Sequence, residues 1–299
     1  MIFKESNLNA FFDKIYPDFA QEDNPTVNLE LAKYCLSFEI IKKTTSVDWI
    51  YDYLKNTDKS DKYLFQREKQ QDTLEFKKHR TRIFLFAEML YNLQFIPGIQ
   101  DVFKKFGKED FESTFIELEF AKYIYRSGRY FSFNTPVGIK GQDFDITIEI
   151  NNSEAVGEIK SKLESNDFAP KKIIQTIKDA KKQLPSNQQN LIFIKIPETW
   201  GQDEQKMDVL CSEIKNYIDK SERIITIILL WNIWVVQESS DFILYILTQE
   251  VRNTHSELEN VKYPNNLFTA LIDLGKKEPW FDLLLFVKQK LNLNTAYGI

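Results

Sequence analysis

The tightest constraint on the fold lies in residues 145–160. Asp145-Ile-Thr-Ile-Glu-Ile150 alternates polar and apolar side chains, the pattern of a strand with one buried face. Glu158-Ile-Lys160 continues the alternation on a second strand. An even-length turn at Asn151-Asn-Ser-Glu154 pairs Ile150 with Ala155, Thr147 with Glu158 and Asp145 with Lys160. Asp145, Glu158 and Lys160 then share one face. Ile146, Ile148, Ile150 and Ile159 share the other, which suits a core. Asp145 and Glu158 become diagonal neighbours, roughly 7 to 8 Å apart at the backbone. A one-residue slip would bury the charges and expose the isoleucines, so the apolar pattern itself resists it.

A helix over about Glu112 to Ser127 precedes this pair and stops at Gly128, the usual residue for a left-handed cap. Glu117 has Ala121 at i+4 and Ile124 at i+7, which puts it on or beside the packed face. Glu119 has Lys122 and Arg126 at i+3 and i+7, the pattern of a solvated ion-pair face. Of the two, Glu117 is the candidate for a site.

The rest of the chain sorts around this segment. Residues 1 to about 105 read as helical: Leu8 to Ile15, Leu29 to Ile41, Val47 to Leu54, then a long periodic segment from about Tyr63 to Leu93 stopped by Pro97-Gly98. Asn56 to Asp61 is a polar connector. From Phe111 helices and strands alternate. Strands are expected at Tyr130–Phe133, in the 145–160 pair, at Leu191–Ile196 and at Arg223–Trp231. Helices are expected at about Pro170–Leu184 and Gln205–Asp219. This order implies an α/β chain, mixed in the α+β sense, with a mixed central sheet flanked by helices. Phe242–Leu247 reads equally as strand or helix. The tail, Asn266 to Leu293, reads as two helices. The expected division is an N-terminal helical domain at 1–105, a core at 106–250 and a C-terminal helical extension at 251–299.

Several functions lack residues. No stretch approaches the ~18 to 20 apolar residues of a membrane span, and the first residues hold no apolar signal core, so a cytoplasmic protein is expected. Cys35 and Cys211 are distant in sequence and expected to be buried free thiols. His79 and His255 have no metal-ligand spacing. No phosphate-binding GxxxxGK[ST] loop occurs, nor a GxSxG elbow. Gly138-Ile-Lys-Gly141 is expected to link two strands, and Phe84, Phe86, Trp231 and Trp234 to be core. The net charge of −5 argues against a simple nucleic-acid coat. It leaves room for a locally basic groove, since only charges within ~8 to 10 Å act strongly on a phosphate.

The run Glu117, Asp145, Glu158-Ile-Lys160 resembles the PD-(D/E)XK nuclease superfamily, the restriction-endonuclease-like fold. That pattern is a glutamate-bearing helix ending in glycine, an acid opening one strand, and Glu-x-Lys on the next. The resemblance covers about residues 111–231. No proline precedes the acid, and Asp143 stands nearby as a rival or accessory to Asp145. Glu-x-Lys alone is a weak signal, with about one or two expected by chance in such a chain. Here four occur, beginning at Glu75, Glu158, Glu204 and Glu213; only Glu158 falls on an expected strand.

The resemblance implies a restriction-endonuclease-like core that hydrolyses phosphodiester bonds in DNA, with RNA second, and an endonuclease before an exonuclease. It implies Asp145, Glu158 and Glu117 as ligands of Mg²⁺ or Mn²⁺, hard cations that take oxygen ligands, and Lys160 as the group that orients or activates water. Residues 160–182 hold seven lysines against three acids. Lys162, Lys171, Lys172 and Gln175 are candidate backbone contacts, because the helix that follows Glu-x-Lys often lies beside the scissile phosphate in this superfamily. Lys77-Lys78-His79-Arg80-Arg82 is a second basic run, read equally as a phosphate track or a solvated face. The helical parts are expected to read the substrate, form a homodimer or dock a partner protein. A role in restriction or phage defence follows from family analogy alone. The competing readings are a catalytically inactive nuclease fold that binds nucleic acid or serves in assembly, and a helical interaction protein whose hairpin only resembles the motif.

Overall fold

Alternating and fully apolar runs become strands of one sheet. The structure, a computed structural model, describes residues 3–19, 25–45, 73–106, 111–135, 137–139, 141–150, 153–162, 167–221, 223–236, 242–253 and 278–291. The chain forms two compact units: residues 1–95, 99–111 and 274–299, and residues 96–98 and 112–273. Among the described residues no helix is long and apolar enough to cross a membrane. The expected helix at Val47–Leu54, the connector after it, the 63–72 start of the long helix and the 266–277 part of the tail lie outside the described residues.

The first unit is helical: α1 (Glu5–Phe19), α2 (Pro25–Thr45), α3 (Thr73–Leu93), α4 (Ile99–Lys105) and, from the end of the chain, α9 (Pro279–Lys290). Ile40, Ile41, Phe86, Met89 and Leu90 are fully buried in it. Asn92 ties in the last helix: its Nδ2 donates to Glu278 at 2.9 Å, and its Oδ1 accepts the Trp280 N–H at 2.9 Å. The basic run on α3 is partly absorbed by packing. Arg80 pairs with Glu30 of α2, and His79 lies 2.9 Å from the Tyr34 hydroxyl. Lys77 to Arg82 are all half-buried, so the picture of a simply solvated face does not hold.

The second unit carries α5 (Phe111–Arg126), whose first residue belongs to the helical unit, then β1 (Phe131–Phe133), β2 (Ile146–Ile150) and β3 (Ser153–Ser161). After these come α6 (Pro170–Gln183), β4 (Gln189–Lys195), a short α7 (Glu198–Gly201), α8 (Glu204–Ile218), β5 (Ile224–Val236) and β6 (Phe242–Arg252). Among the described residues the strands form one sheet in chain order. β1, β2 and β3 are antiparallel, β3, β4 and β5 parallel, and β6 returns antiparallel. Pairing with β5 settles Phe242–Leu247 as strand. Helices cover both faces. Val156, Ile192, Ile194, Ile227 and Leu229 pack with Ile173 and Ile177 of α6 and Leu210 and Ile214 of α8. On the other face Phe193 meets Phe120 of α5, ring centroids 5.2 Å apart.

Two glycines punctuate this unit where the backbone demands it. Gly128, at φ +71°, ends α5 as the sequence indicates. Gly98, at φ +81°, lies where an added Cβ would come within 2.1 Å of the Phe133 carbonyl oxygen. Gly98→Ala is therefore expected to cost ~3 kcal/mol, combining left-handed strain with a backbone clash on β1. Urea unfolding checks it; an unchanged midpoint would contradict the close approach.

Candidate active site

The hairpin that carries the site differs from expectation by two residues. Ile146 pairs with Gly157, Ile148 with Ala155 and Ile150 with Ser153, which leaves only residues 151 and 152 between the strands. Continued by one step, this register brings Asp145 opposite Glu158, not Lys160. The physical reason is that an even slip keeps every side chain on its face, so alternation alone cannot distinguish the two registers. Facial assignment survives, and the two acids move closer than diagonal neighbours. The Asp145 N–H donates to Gly157 O at 3.0 Å, and the Ile159 N–H donates to Asp145 Oδ2 at 2.6 Å. Asp145 thus uses one carboxylate oxygen to lock the strands together.

Glu158 is fully buried, which also departs from the one-sided strand pattern. Its face is the one that α6 and α8 cover through Val156, Ile192 and Ile194, so both faces of β3 are closed. Lys160, two residues on, retains 29% side-chain exposure and forms an ion pair with Glu158 Oε1. Glu158 Oε2 is buried with no hydrogen-bond partner. Burial pushes the Glu158 carboxyl up from 4.5 to about 8; Asp145 and, more weakly, Glu117 push the same way, while Lys160 pulls down. Glu117 itself is 8% exposed on α5, as its apolar neighbours imply. Asp145, Glu117 and Lys160 are therefore all close enough to act on the charge of Glu158.

The raised pKa has a stability consequence. Below about pH 4.5 the carboxyl is protonated in folded and unfolded chains alike. Between 4.5 and about 8 the folded chain keeps a proton the unfolded chain has lost, so stability falls as pH rises through this window. Glu158→Gln removes this term. In a chelator the variant is expected to match the wild type near pH 5 and exceed it by on the order of 3 kcal/mol above pH 8. Urea unfolding across pH reads it, and parallel curves for the two proteins would refute the assignment.

The other acids fall into structural roles. Asp143 Oδ1 accepts the Val137 and Gly138 N–H groups at 2.8 and 2.9 Å, so it shapes the β1–β2 loop. That loop holds Gly138 and Gly141 and links two strands, as expected. Glu119 is not on a solvated face. It is fully buried and paired with Lys195 of β4, which is equally buried, and Lys122 beside it is buried too. Helical spacing pointed to Lys122 and Arg126 because local partners are all a single helix offers. The available signal for the true partner was a lysine inside the otherwise apolar run Leu191–Ile196.

Among the basic candidates, Lys171, Lys172 and Gln175 are exposed on α6, and Lys162 is half-buried just past β3, its N–H donating to Lys195 O at 2.9 Å. The Gln175 amide donates to Asp179 at 3.1 Å. Hydrogen bonds from Lys182 and Gln175 hold Asp179 below the usual carboxylate range, and the Lys160 charge adds to this. The outer line of α6 therefore lies within electrostatic reach of Lys160. The other three Glu-x-Lys tripeptides sit on helices α3 and α8. Cys35 and Cys211 are free but half-buried rather than buried, and burial raises both thiols.

Fold and site together define an α/β unit with a buried carboxylate beside a lysine near the end of a central strand. Among the described residues, no three His, Cys, Asp or Glu side chains are arranged to hold a metal ion. Neither a protein-family model nor a curated protein matches the chain. The likeness to PD-(D/E)XK nucleases therefore rests on the motif residues themselves.

Proposed function

We propose that the sheet unit is a divalent-cation-dependent nuclease with a restriction-endonuclease-like core, hydrolysing phosphodiester bonds in DNA. One observation carries this reading: Glu158 is fully buried, its Oε2 has no hydrogen-bond donor, and two further carboxylates press on it. A buried carboxylate in that state is costly unless something positive is meant to meet it. Glu158 and Asp145 would hold Mg²⁺ or Mn²⁺, with Glu117 behind them. When bound, the cation would supply charge neutralisation, polarisation of the phosphate and acidification of a bound water.

The chain's own groups do the rest. Lys160 is partly exposed, so its ammonium reaches both Glu158 and an incoming phosphate. It orients the attacking water and offsets charge as the water oxygen bonds to phosphorus and the ester P–O bond breaks. The basic, exposed side of α6 supports a backbone track through Lys162, Lys171, Lys172 and Gln175. DNA ahead of RNA, internal cleavage ahead of end-directed cleavage, and a cytoplasmic role in restriction or phage defence complete the proposal, the last by family analogy. The helical unit is assigned to substrate reading, self-association or partner docking.

The second reading is a nuclease fold that binds nucleic acid or assembles without cleaving. The Lys160 ammonium, which already meets the buried Glu158 carboxylate, favours it. The test incubates the protein with Mg²⁺ or Mn²⁺ and plasmid, linear and single-stranded DNA and RNA. Scission by the wild type that disappears in Lys160→Ala and Asp145→Ala supports the first reading. Scission that survives both removes the site assignment. No scission of any substrate favours the second.

A further inference from the structure

A cavity of about 820 Å³ opens at the C-terminal end of α6. Its walls come from the last turns of α6, from residues 185–187, from Gly141 and Gln142, from Tyr217 of α8 and from Arg223 before β5. Four cations line it (Lys178, Lys181, Lys182 and Arg223) and, among the described residues, no acidic side chain does. In a chain of net charge −5 this is a concentration of the minority sign.

Helix capping does not explain it. The carbonyls of Lys181 and Leu184 at the end of α6 already accept from the Arg223 guanidinium. The lysines therefore do not serve as its caps. Lys181 Nζ donates to the Ser221 hydroxyl at 2.8 Å. Lys182 meets Asp179 at 2.6 Å on the exposed side. Lys178 lies 5.9 Å from the centre of the Tyr217 ring, a contact that fixes the side chain while leaving its charge intact. Arg223 Nε is buried without an acceptor. The volume falls in the range of small-ligand pockets, and the wall combines one aromatic ring with converging donors.

We propose that this cavity is an anion site for a phosphate group, carried either by a free phosphate ester or by a nucleic-acid backbone. Lys178 and Lys182 supply the charge that holds it, and Lys181 and Arg223 supply a rigid wall. The site needs no catalytic metal and does not rest on the nuclease reading.

The test titrates inorganic pyrophosphate and, separately, a short single-stranded oligonucleotide into the full chain in EDTA at low salt. The wild type is compared with Lys178→Gln/Lys182→Gln, and with Lys104→Gln/Lys206→Gln as the same charge change elsewhere. The first pair is expected to weaken binding at least tenfold, and the second to leave it within twofold. If the first pair compromises folding, Lys178→Gln alone carries the test, with an expected loss of about threefold. Loss for pyrophosphate alone assigns a free phosphate ester; loss for the oligonucleotide alone assigns a backbone, with a salt dependence shallower by about 0.7 per lysine removed. Loss for both assigns a phosphate site open to either source. No binding of either probe, or binding that the first pair leaves unchanged, overturns the proposal. No cleavage is read, so failure here is separate from failure of the nuclease reading.

Discussion

On the proposed nuclease reading, Lys160→Ala is expected to lower DNA scission in Mg²⁺ by about 100- to 1,000-fold, the usual cost of removing one preorganised charge from a reacting oxygen. The loss should fall on kcat more than on KM, because the ammonium matters most as charge develops on the phosphate. Stability should change little in comparison, since Lys160 is partly exposed and its ion pair with Glu158 is partly screened. The variant carries a second signature. Without Lys160, Glu158 loses the charge that lowers its pKa. Residual activity should then require a higher pH than the wild type. Rates measured from pH 6 to 9, with plasmid as substrate, read both effects. A variant that cleaves at the wild-type rate would remove Lys160 from the chemistry.

The largest effect on folding is expected at the other face of the sheet. Lys195→Met removes the ion-pair partner of the buried Glu119, and breaking a buried pair from one side costs ~3 to 5 kcal/mol. Glu119→Leu combined with Lys195→Met replaces both charges with apolar volume. The double variant should recover most of the loss, because the pair spends its attraction on its own desolvation. Urea unfolding of the two single variants and the double variant measures the coupling. Additive losses would mean that the two side chains do not depend on each other. Glu119 sits two residues from Glu117 on α5, so this pair also anchors the helix that brings Glu117 toward Glu158.

Much of this was legible in the chain because it is local. Period-two alternation with isoleucine on one face announces β2, and fully apolar runs announce β4 and β5. Gly128 ends α5, and the strand context separates Glu158-Ile-Lys160 from the three similar tripeptides that lie on helices. Glu117 reads as buried from its i+4 and i+7 neighbours. These inferences hold because they depend on side chains a few residues apart.

What the sequence determined by itself was the mixed order of helices and strands and the facing of β2 and β3. Tertiary structure decided the rest. Two registers that differ by two residues share one apolar pattern, so only pairing could place Asp145 opposite Glu158. Only the packing of α6 and α8 over the second face could close Glu158 away from water and raise its pKa. Only the approach of β4 to α5 could join Lys195 to Glu119, residues 76 positions apart. In each case the deciding interaction is non-local, and no periodicity along the chain encodes which distant element will cover a given face.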